Sequence, residues 1–167
     1  KPLIIMTPKS LLRHKKAVSK LEEFGPGTSF NRVLPDNGDL VAAAKVKRVV
    51  LCSGKVYYDL LAAREEGNIA NVALVRVEQL YPFPSVSLSK ELEKYPNAEV
   101  VWCQEEPKNM GAWHFLDRRL EELLGNLDVS AARPAYVGRP EAASPATGSL
   151  GKHNAEQQAL VSEALTT

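Results

Sequence analysis

The sequence is organised around Ala98-Glu-Val-Val-Trp-Cys-Gln-Glu-Glu-Pro-Lys-Asn-Met-Gly-Ala-Trp-His-Phe-Leu-Asp-Arg-Arg-Leu-Glu-Glu-Leu-Leu124. Its apolar start, Val100-Val-Trp-Cys103, is typical of a strand buried on both faces of a parallel sheet. Pro107 cannot continue a ladder, and Asn109 is a candidate N-cap for a helix. Apolar residues then recur at helical spacing, at Met110, Trp113, Leu116, Leu120 and Leu123/Leu124. The run predicts a strand, a polar bend at its carboxyl end and a helix, with Trp102 and Trp113 buried.

Further strands and helices are predicted on both sides of this run. Apolar runs predict strands at Val49–Cys52, Val72–Val77 and Ala135–Gly138. Helical spacing follows from Val56 until Gly67 as a C′ residue, from Leu88 to Tyr95, and from Asn154 to Leu165. Alternating strands and helices predict an α/β fold, with a mostly parallel sheet and helices on both faces.

The amino-terminal part has weaker patterns. Leu3–Met6 is interpreted as a buried strand, Leu11–Phe24 as a short helix after a Ser10 cap, and residues 28–44 as a loop or linker before the sheet that begins at Val46. The chain opens on Lys1 without a methionine, and we interpret it as a piece of a longer protein.

Composition excludes several classes of function. With 167 residues, 44% of them hydrophobic, the chain is long enough to bury one sizeable core. A net charge of +1 does not provide the basic surface that nucleic-acid or membrane-surface binding requires. There is no apolar run of transmembrane length. Cys52 and Cys103 lie in strand-like runs rather than at a metal-ligand spacing, which favours a reduced compartment.

The residues that could perform chemistry form no complete catalytic set. His14, His114 and His153 lie in different segments without a nucleophile motif, and solvated or satisfied histidines are the favoured interpretation. Glu105 and Glu106 are adjacent, so their side chains diverge, and a solvated bend is expected. No catalytic or metal-ligating residue is predicted.

The turn Ser53-Gly-Lys55 is the one candidate for a binding site. A glycine bend before a helix exposes amide donors, and a lysine adds charge for a phosphate. The spacing is not that of a P-loop, so a tight turn with a solvated lysine remains the alternative.

A family resemblance extends these predictions. It rests on five motifs that occur in order: Thr7-Pro-Lys-Ser-Leu-Leu-Arg-His14, Cys52-Ser-Gly-Lys-Val-Tyr-Tyr-Asp59, Val75-Arg-Val-Glu-Gln-Leu-Tyr-Pro-Phe-Pro84, Trp102-Cys-Gln-Glu-Glu-Pro-Lys-Asn-Met-Gly-Ala-Trp113 and Gly138-Arg-Pro-Glu-Ala-Ala-Ser-Pro-Ala-Thr-Gly148. The chain resembles the carboxyl-terminal region of the thiamine-dependent first component of the 2-oxoglutarate dehydrogenase complex. A 2-oxoadipate-preferring relative and a free-standing flavodoxin-like nucleotide-binding or interaction module are the alternatives.

The resemblance implies a transketolase carboxyl-terminal-like domain over residues 46–167, with one antiparallel strand in its sheet, and residues 1–45 as the end of a pyrimidine-binding domain plus linker. In the family, thiamine diphosphate and Mg²⁺ bind outside this region. The full-length enzyme decarboxylates 2-oxoglutarate and transfers succinyl to lipoyl groups in the tricarboxylic acid cycle, so this region alone is expected to be inactive. The implied partners are a second copy, dihydrolipoyl succinyltransferase and dihydrolipoyl dehydrogenase. The implied location is the cytoplasm in bacteria, which we prefer, or the mitochondrial matrix in eukaryotes.

The resemblance also implies a regulatory anion site, because some relatives bind acetyl-CoA or a nucleotide against this domain. Matched motif by motif, its residues would be Thr7, Ser53, Lys55 and Gln104. Glu22 stands where the acetyl-CoA-activated relatives have an arginine, which opposes acetyl-CoA regulation.

Overall fold

The structure, a computed structural model, describes residues 1–167. Contacts within the chain divide it into two units, Lys1–Asn31 and Arg32–Thr167. All the strands and α-helices belong to the second unit. The domain boundary at residue 45 stays a prediction.

The first unit contains only two short 3₁₀ helices, Lys9–Leu11 and Leu21–Phe24. The predicted buried strand at Leu3–Met6 is wrong, because these residues form no strand and are 71–92% exposed. A single strand outside a sheet leaves its backbone donors and acceptors without partners. The predicted helix over Leu11–Phe24 is also wrong, since a short helix without an apolar surface to pack on does not offset the free energy of nucleation.

The second unit is built on a five-stranded sheet. Its strands are β1 (Val33–Leu34), β2 (Arg48–Cys52), β3 (Val72–Val77), β4 (Glu99–Pro107) and β5 (Ala135–Arg139). They lie in the order β1-β3-β2-β4-β5, and all neighbours are parallel except the pair β1 and β3. The predicted α/β class with one antiparallel strand is confirmed.

The prediction that residues 28–44 lie outside the sheet is wrong, because β1 pairs with β3 and forms an edge strand of the sheet. A buried carboxylate secures the segment that follows β1. Asp36 pairs with Arg64, and its Oδ2 accepts the backbone N–H of Leu74 at 2.6 Å. Arg64 also donates to the Val72 carbonyl at 3.2 Å. These partners are far apart in sequence, so local composition gave no signal of them.

Four helices cover the sheet: α1 (Val56–Glu66), α2 (Ser85–Leu92), α3 (Trp113–Gly125) and α4 (Leu150–Leu165). The helix α4 begins before the predicted Asn154, because Ser149 is the N-cap and its side chain accepts the N–H of Lys152. After α1 the left-handed residue is Asn68, with φ 51°, instead of the predicted Gly67. None of the helices is long and apolar enough to span a membrane.

The helices form one layer on each face of the sheet. Alternate strand residues point to opposite faces, so Val49 and Leu51 pack in one core cluster while Val50 and Cys52 pack in the other. The first cluster contains the buried apolar residues of α2 and α3, and the second contains those of α1 and α4. The predicted burial of both tryptophans is confirmed, since Trp102 is 1% exposed and Trp113 is 6% exposed.

Truncating either tryptophan should therefore destabilise the chain strongly. We expect Trp102→Ala and Trp113→Ala each to lower the free energy of unfolding by roughly 3–5 kcal/mol, because each leaves a large cavity in the same cluster. Urea unfolding followed by circular dichroism measures the change. Val86→Ala is the control, since Val86 is exposed on α2 and its truncation should change stability by less than about 0.5 kcal/mol. Unchanged midpoints in both tryptophan variants would contradict the packing described.

Candidate functional site

The carboxyl ends of β2 and β4 are neighbours at one edge of the sheet. In the parallel register Cys52 is opposite Cys103, so the next residues, Ser53 and Gln104, both lie at this edge. Open α/β sheets usually bind their ligands at such an edge. Three of the four predicted site residues, Ser53, Lys55 and Gln104, belong to this region.

The turn after β2 places Lys55 between two carboxylates. Gly54 has φ 73°, a left-handed conformation that favours glycine, and α1 begins two residues later. The Nζ of Lys55 lies 2.9 Å from Asp59 Oδ2 and 3.0 Å from Glu105 Oε1. Burial alone would lower the pKa of Lys55, but the hydrogen bonds to these carboxylates outweigh it and raise the pKa. The predicted alternative of a solvated lysine is therefore wrong, and so is the prediction that Glu105 is merely solvated.

The same carboxylates are also bound by α4. Gln157 Nε2 donates to Asp59 Oδ2 at 2.8 Å and to Glu105 Oε1 at 3.0 Å. Its Oε1 accepts from Arg139 Nη2 at 3.1 Å, and that nitrogen is also 3.0 Å from His153 Nδ1. We call Lys55, Asp59, Glu105, Arg139, His153 and Gln157 the edge network. It connects α1, β4, β5 and α4, and each of its charges lies against an opposite charge or a polar partner.

Gln104 is directed toward the opposite helical layer and is 3% exposed. Its Oε1 accepts from Trp102 Nε1 at 2.9 Å and from the backbone N–H of Trp113 at 3.0 Å. Its Nε2 donates to the Met110 carbonyl at 2.8 Å. The side chain thus satisfies the first N–H of α3 and organises the bend that precedes it.

Asn109 does not have the predicted capping role. Its side chain instead accepts from the N–H of Ala142 at 3.1 Å and donates to the carbonyl of Ala142 at 2.9 Å, which fastens the loop after β5. Helix α3 begins at Trp113, with Ala112 as its N-cap residue and no capping bond from the Ala112 side chain. Gln104, nine residues before Trp113, accepts the N–H of Trp113 and so has the role that was predicted for Asn109.

Thr7 lies in the first unit, exposed and just before the 3₁₀ helix Lys9–Leu11. The structure brings Ser53, Lys55 and Gln104 to one sheet edge, although Gln104 points away from Lys55's layer. The anion site that combines them with Thr7 stays a prediction.

The histidines do not form a shared site. His114 is exposed at the start of α3, and His153 is held by Arg139 on α4. No group of three histidine, cysteine or acidic side chains is arranged to hold a metal ion. The contacts that join the edge network were not predicted from the sequence. Only Lys55 and Asp59 had a local signal, because an i,i+4 pair lies on one face of a helix.

The fold and its sheet edge define a class of protein. A mostly parallel sheet with one antiparallel edge strand and a helical layer on each face is consistent with a transketolase carboxyl-terminal-like domain. The polar side chains at its carboxyl edge are paired with one another rather than arranged as a nucleophile and base.

Comparisons with known proteins assign the family. The chain belongs to the 2-oxoglutarate dehydrogenase C-terminal family, whose model matches residues 18–165. Proteins named 2-oxoglutarate dehydrogenase E1 component are similar to it in Brucella anthropi, at 56% identity, and in Brucella ovis and Brucella canis, at 55% identity. Each comparison covers 99% of this chain and 17% of the relative, so the chain spans about a sixth of the length of these relatives.

The role of Gln104 can be tested at a neighbouring glycine. Gly111 has φ 67°, and a Cβ there would lie 2.9 Å from Gln104 Nε2 and 3.0 Å from Gln104 Oε1. Gly148 has a similar φ of 69° with nothing within 4 Å of a Cβ, which makes it a matched control. Both alanine variants should lose roughly 1–2 kcal/mol from backbone strain.

Gly111→Ala should lose at least about 1 kcal/mol more than Gly148→Ala, because Gln104 must give up hydrogen bonds to make room for the methyl group. Urea unfolding of the two variants measures the difference. Equal destabilisation would show that Gln104 can move without loss.

Proposed function

We propose that this chain is the carboxyl-terminal structural and regulatory domain of a longer 2-oxoglutarate dehydrogenase first component. The family match and the name shared by the Brucella relatives support this proposal. That name favours 2-oxoglutarate over 2-oxoadipate as the substrate. Nearly the whole chain aligns with one part of these longer relatives. This alignment disfavours the alternative of a free-standing flavodoxin-like module.

The whole protein would decarboxylate 2-oxoglutarate and transfer the succinyl group to a lipoyl group, using thiamine diphosphate and Mg²⁺. The residues of this chain do not fit that cofactor, because no three potential metal ligands converge and Lys55 at the sheet edge is paired with two carboxylates. The cofactor would therefore be held by other parts of the longer protein.

The observation that favours a structural role is the internal pairing of the edge network. Its charged side chains join two helices to two strands, and removing one member would leave another buried polar group without its partner. Such a network specifies one packing of α1 and α4 on the sheet. We infer that the domain supplies a rigid surface to the longer protein.

The proposed assembly follows the same relatives. A 2-oxoglutarate dehydrogenase first component acts in a complex, so we propose a homodimer that works with dihydrolipoyl succinyltransferase and dihydrolipoyl dehydrogenase. The bacterial source of the similar proteins favours the bacterial cytoplasm over the mitochondrial matrix as the location.

The isolated chain is expected to be inactive, and this can be tested against the longer protein. Calorimetric titration of the 167-residue chain with thiamine diphosphate and Mg²⁺ should show no saturable heat, whereas the full-length protein should bind the cofactor and reduce ferricyanide in the presence of 2-oxoglutarate. Saturable binding to the chain would contradict the assignment of the cofactor site. A full-length protein without 2-oxoglutarate-dependent activity would contradict the proposed function.

We also propose that the sheet edge at Ser53 and Lys55, two of the four residues predicted for this site (Thr7, Ser53, Lys55 and Gln104), is an anion site for the phosphate of a nucleotide or of CoA in the intact protein. The support is that Gly54 opens a turn directly before α1, whose first N–H groups can bind an anion. An incoming phosphate would have to compete with Asp59 and Glu105 for Lys55. Affinity should therefore depend on both the lysine and the carboxylates.

Titrating AMP and acetyl-CoA into the full-length protein and two variants tests this site. Lys55→Ala should weaken binding at least several-fold, and Glu105→Gln should tighten it, because the lysine would then face one carboxylate fewer. Arg118→Ala is the control, since Arg118 is exposed on α3 and should leave the affinity unchanged. If all these proteins bind equally, or none binds, there is no such site and Lys55 serves only the edge network.

A further inference from the structure

Cys52 and Cys103 lie side by side in the centre of the sheet. They are directly opposite each other in the register of the parallel strands β2 and β4. Both belong to the core cluster on the α1 and α4 face, and both are 0% exposed. They are the only two cysteines in the chain, and both are free. The fold thus places two thiols on one face of neighbouring central strands.

The spacing of the strands determines what can join these thiols. Neighbouring strands lie about 4.7–4.9 Å apart, and side chains in direct register extend from the sheet in the same direction. A disulfide requires the two Cβ atoms to be about 3.5–4.5 Å apart, which is shorter than this spacing. Two metal–thiolate bonds of about 2.3 Å in line would span about 4.6 Å between sulfurs. The register suits a metal bridge between the thiols better than a direct sulfur–sulfur bond.

The surroundings decide which kind of ion would fit. The neighbours in the same cluster are apolar and supply no third ligand, and no group of three potential metal ligands exists in the structure. A tetrahedral zinc site is therefore excluded at this place. An ion that prefers two ligands in a linear arrangement would have its full coordination number with these two thiolates. A divalent ion would also leave a neutral adduct, which an apolar core tolerates better than a charged one.

We propose that Cys52 and Cys103 form a two-coordinate site for a soft divalent cation, of which the mercuric ion is the representative. The cation forms one bond to each sulfur, the two S–H bonds break, and two protons leave to water. No electron is transferred, so no oxidant or reductant is required. Soft thiolate ligands select soft ions over Mg²⁺ or Ca²⁺.

The resting thiols are protonated. Burial raises the pKa of Cys103 to about 12, and burial together with the neighbouring Cys103 raises the pKa of Cys52 well above its ordinary range. Alkylating reagents react with the thiolate, so the native pair should resist them. A bound divalent cation favours the deprotonated form of both thiols, because its charge offsets the charges of the two thiolates. Uptake requires a transient opening of the helices that cover the pair.

Mercuric chloride titration of the 167-residue chain tests the site, with native mass spectrometry and a thiol assay after denaturation as readouts. The wild-type chain should take up one mercury per monomer, with both thiols consumed at one equivalent. The half-time for loss of mercury to a competing monothiol should be at least tenfold longer for the wild-type chain than for Cys52→Ser or Cys103→Ser. Circular dichroism confirms that each sample is folded.

Two results would overturn the proposal. One is a wild-type chain that binds two mercury ions at saturation and still has a free thiol at one equivalent. The other is a wild-type chain that loses mercury to the monothiol as fast as the single variants do. The wild-type stoichiometry decides the question by itself even if a serine variant fails to fold, and Cys52→Ala and Cys103→Ala then replace the serine variants.

Discussion

The connection from β4 to α3 depends on the side chain of Gln104. This buried side chain projects from β4 and joins three groups: the indole N–H of Trp102, the backbone N–H of Trp113 and the carbonyl of Met110. A buried polar group without a hydrogen bond loses about 1–3 kcal/mol, so one misplaced glutamine would disturb the strand, the bend and the helix together. Gly111 has no side chain, and this leaves the space that the amide occupies.

On the opposite face of the sheet, the edge network joins strands to helices, as Gln104 joins β4 to α3. Lys55 and Arg139 lie among carboxylates and amides supplied by α1, β4 and α4, so the helical layer is held by specific pairs as well as by apolar contact. Partly buried ion pairs contribute modestly to stability, but they disfavour other packings in which a charge would lose its partner. This pairing opposes anion binding, because one lysine between two carboxylates presents no net positive charge to an incoming phosphate.

The sequence predicted the features that depend on local patterns. Apolar runs located the four long strands, and helical spacing located α1, α3 and the burial of Trp113. The wrong predictions for Asn109 and for residues 28–44 have one cause: the residues that form these contacts are distant in sequence. Asn109 has the right residue type for a cap, yet Gln104 performs that role from the strand, and Asp36 joins a region that looked like a linker to β3. The strand end at Cys52 indicated that Ser53 and Lys55 lie at the carboxyl edge of the sheet, whereas the pairing of Lys55 with Glu105 and its link to Gln157 had no sequence signal.

The two central strands connect these features. Cys52 immediately precedes Ser53 and the turn of Lys55, and Cys103 immediately precedes Gln104, so the thiol pair lies one residue before both polar systems. In a close-packed interior, a change in the separation of β2 and β4 at the cysteines cannot be absorbed by empty space. Any atom bound between the sulfurs would therefore act on the bend held by Gln104 and on the turn held by Glu105. The centre of this sheet is the place where a small ligand could alter both faces of the domain at once.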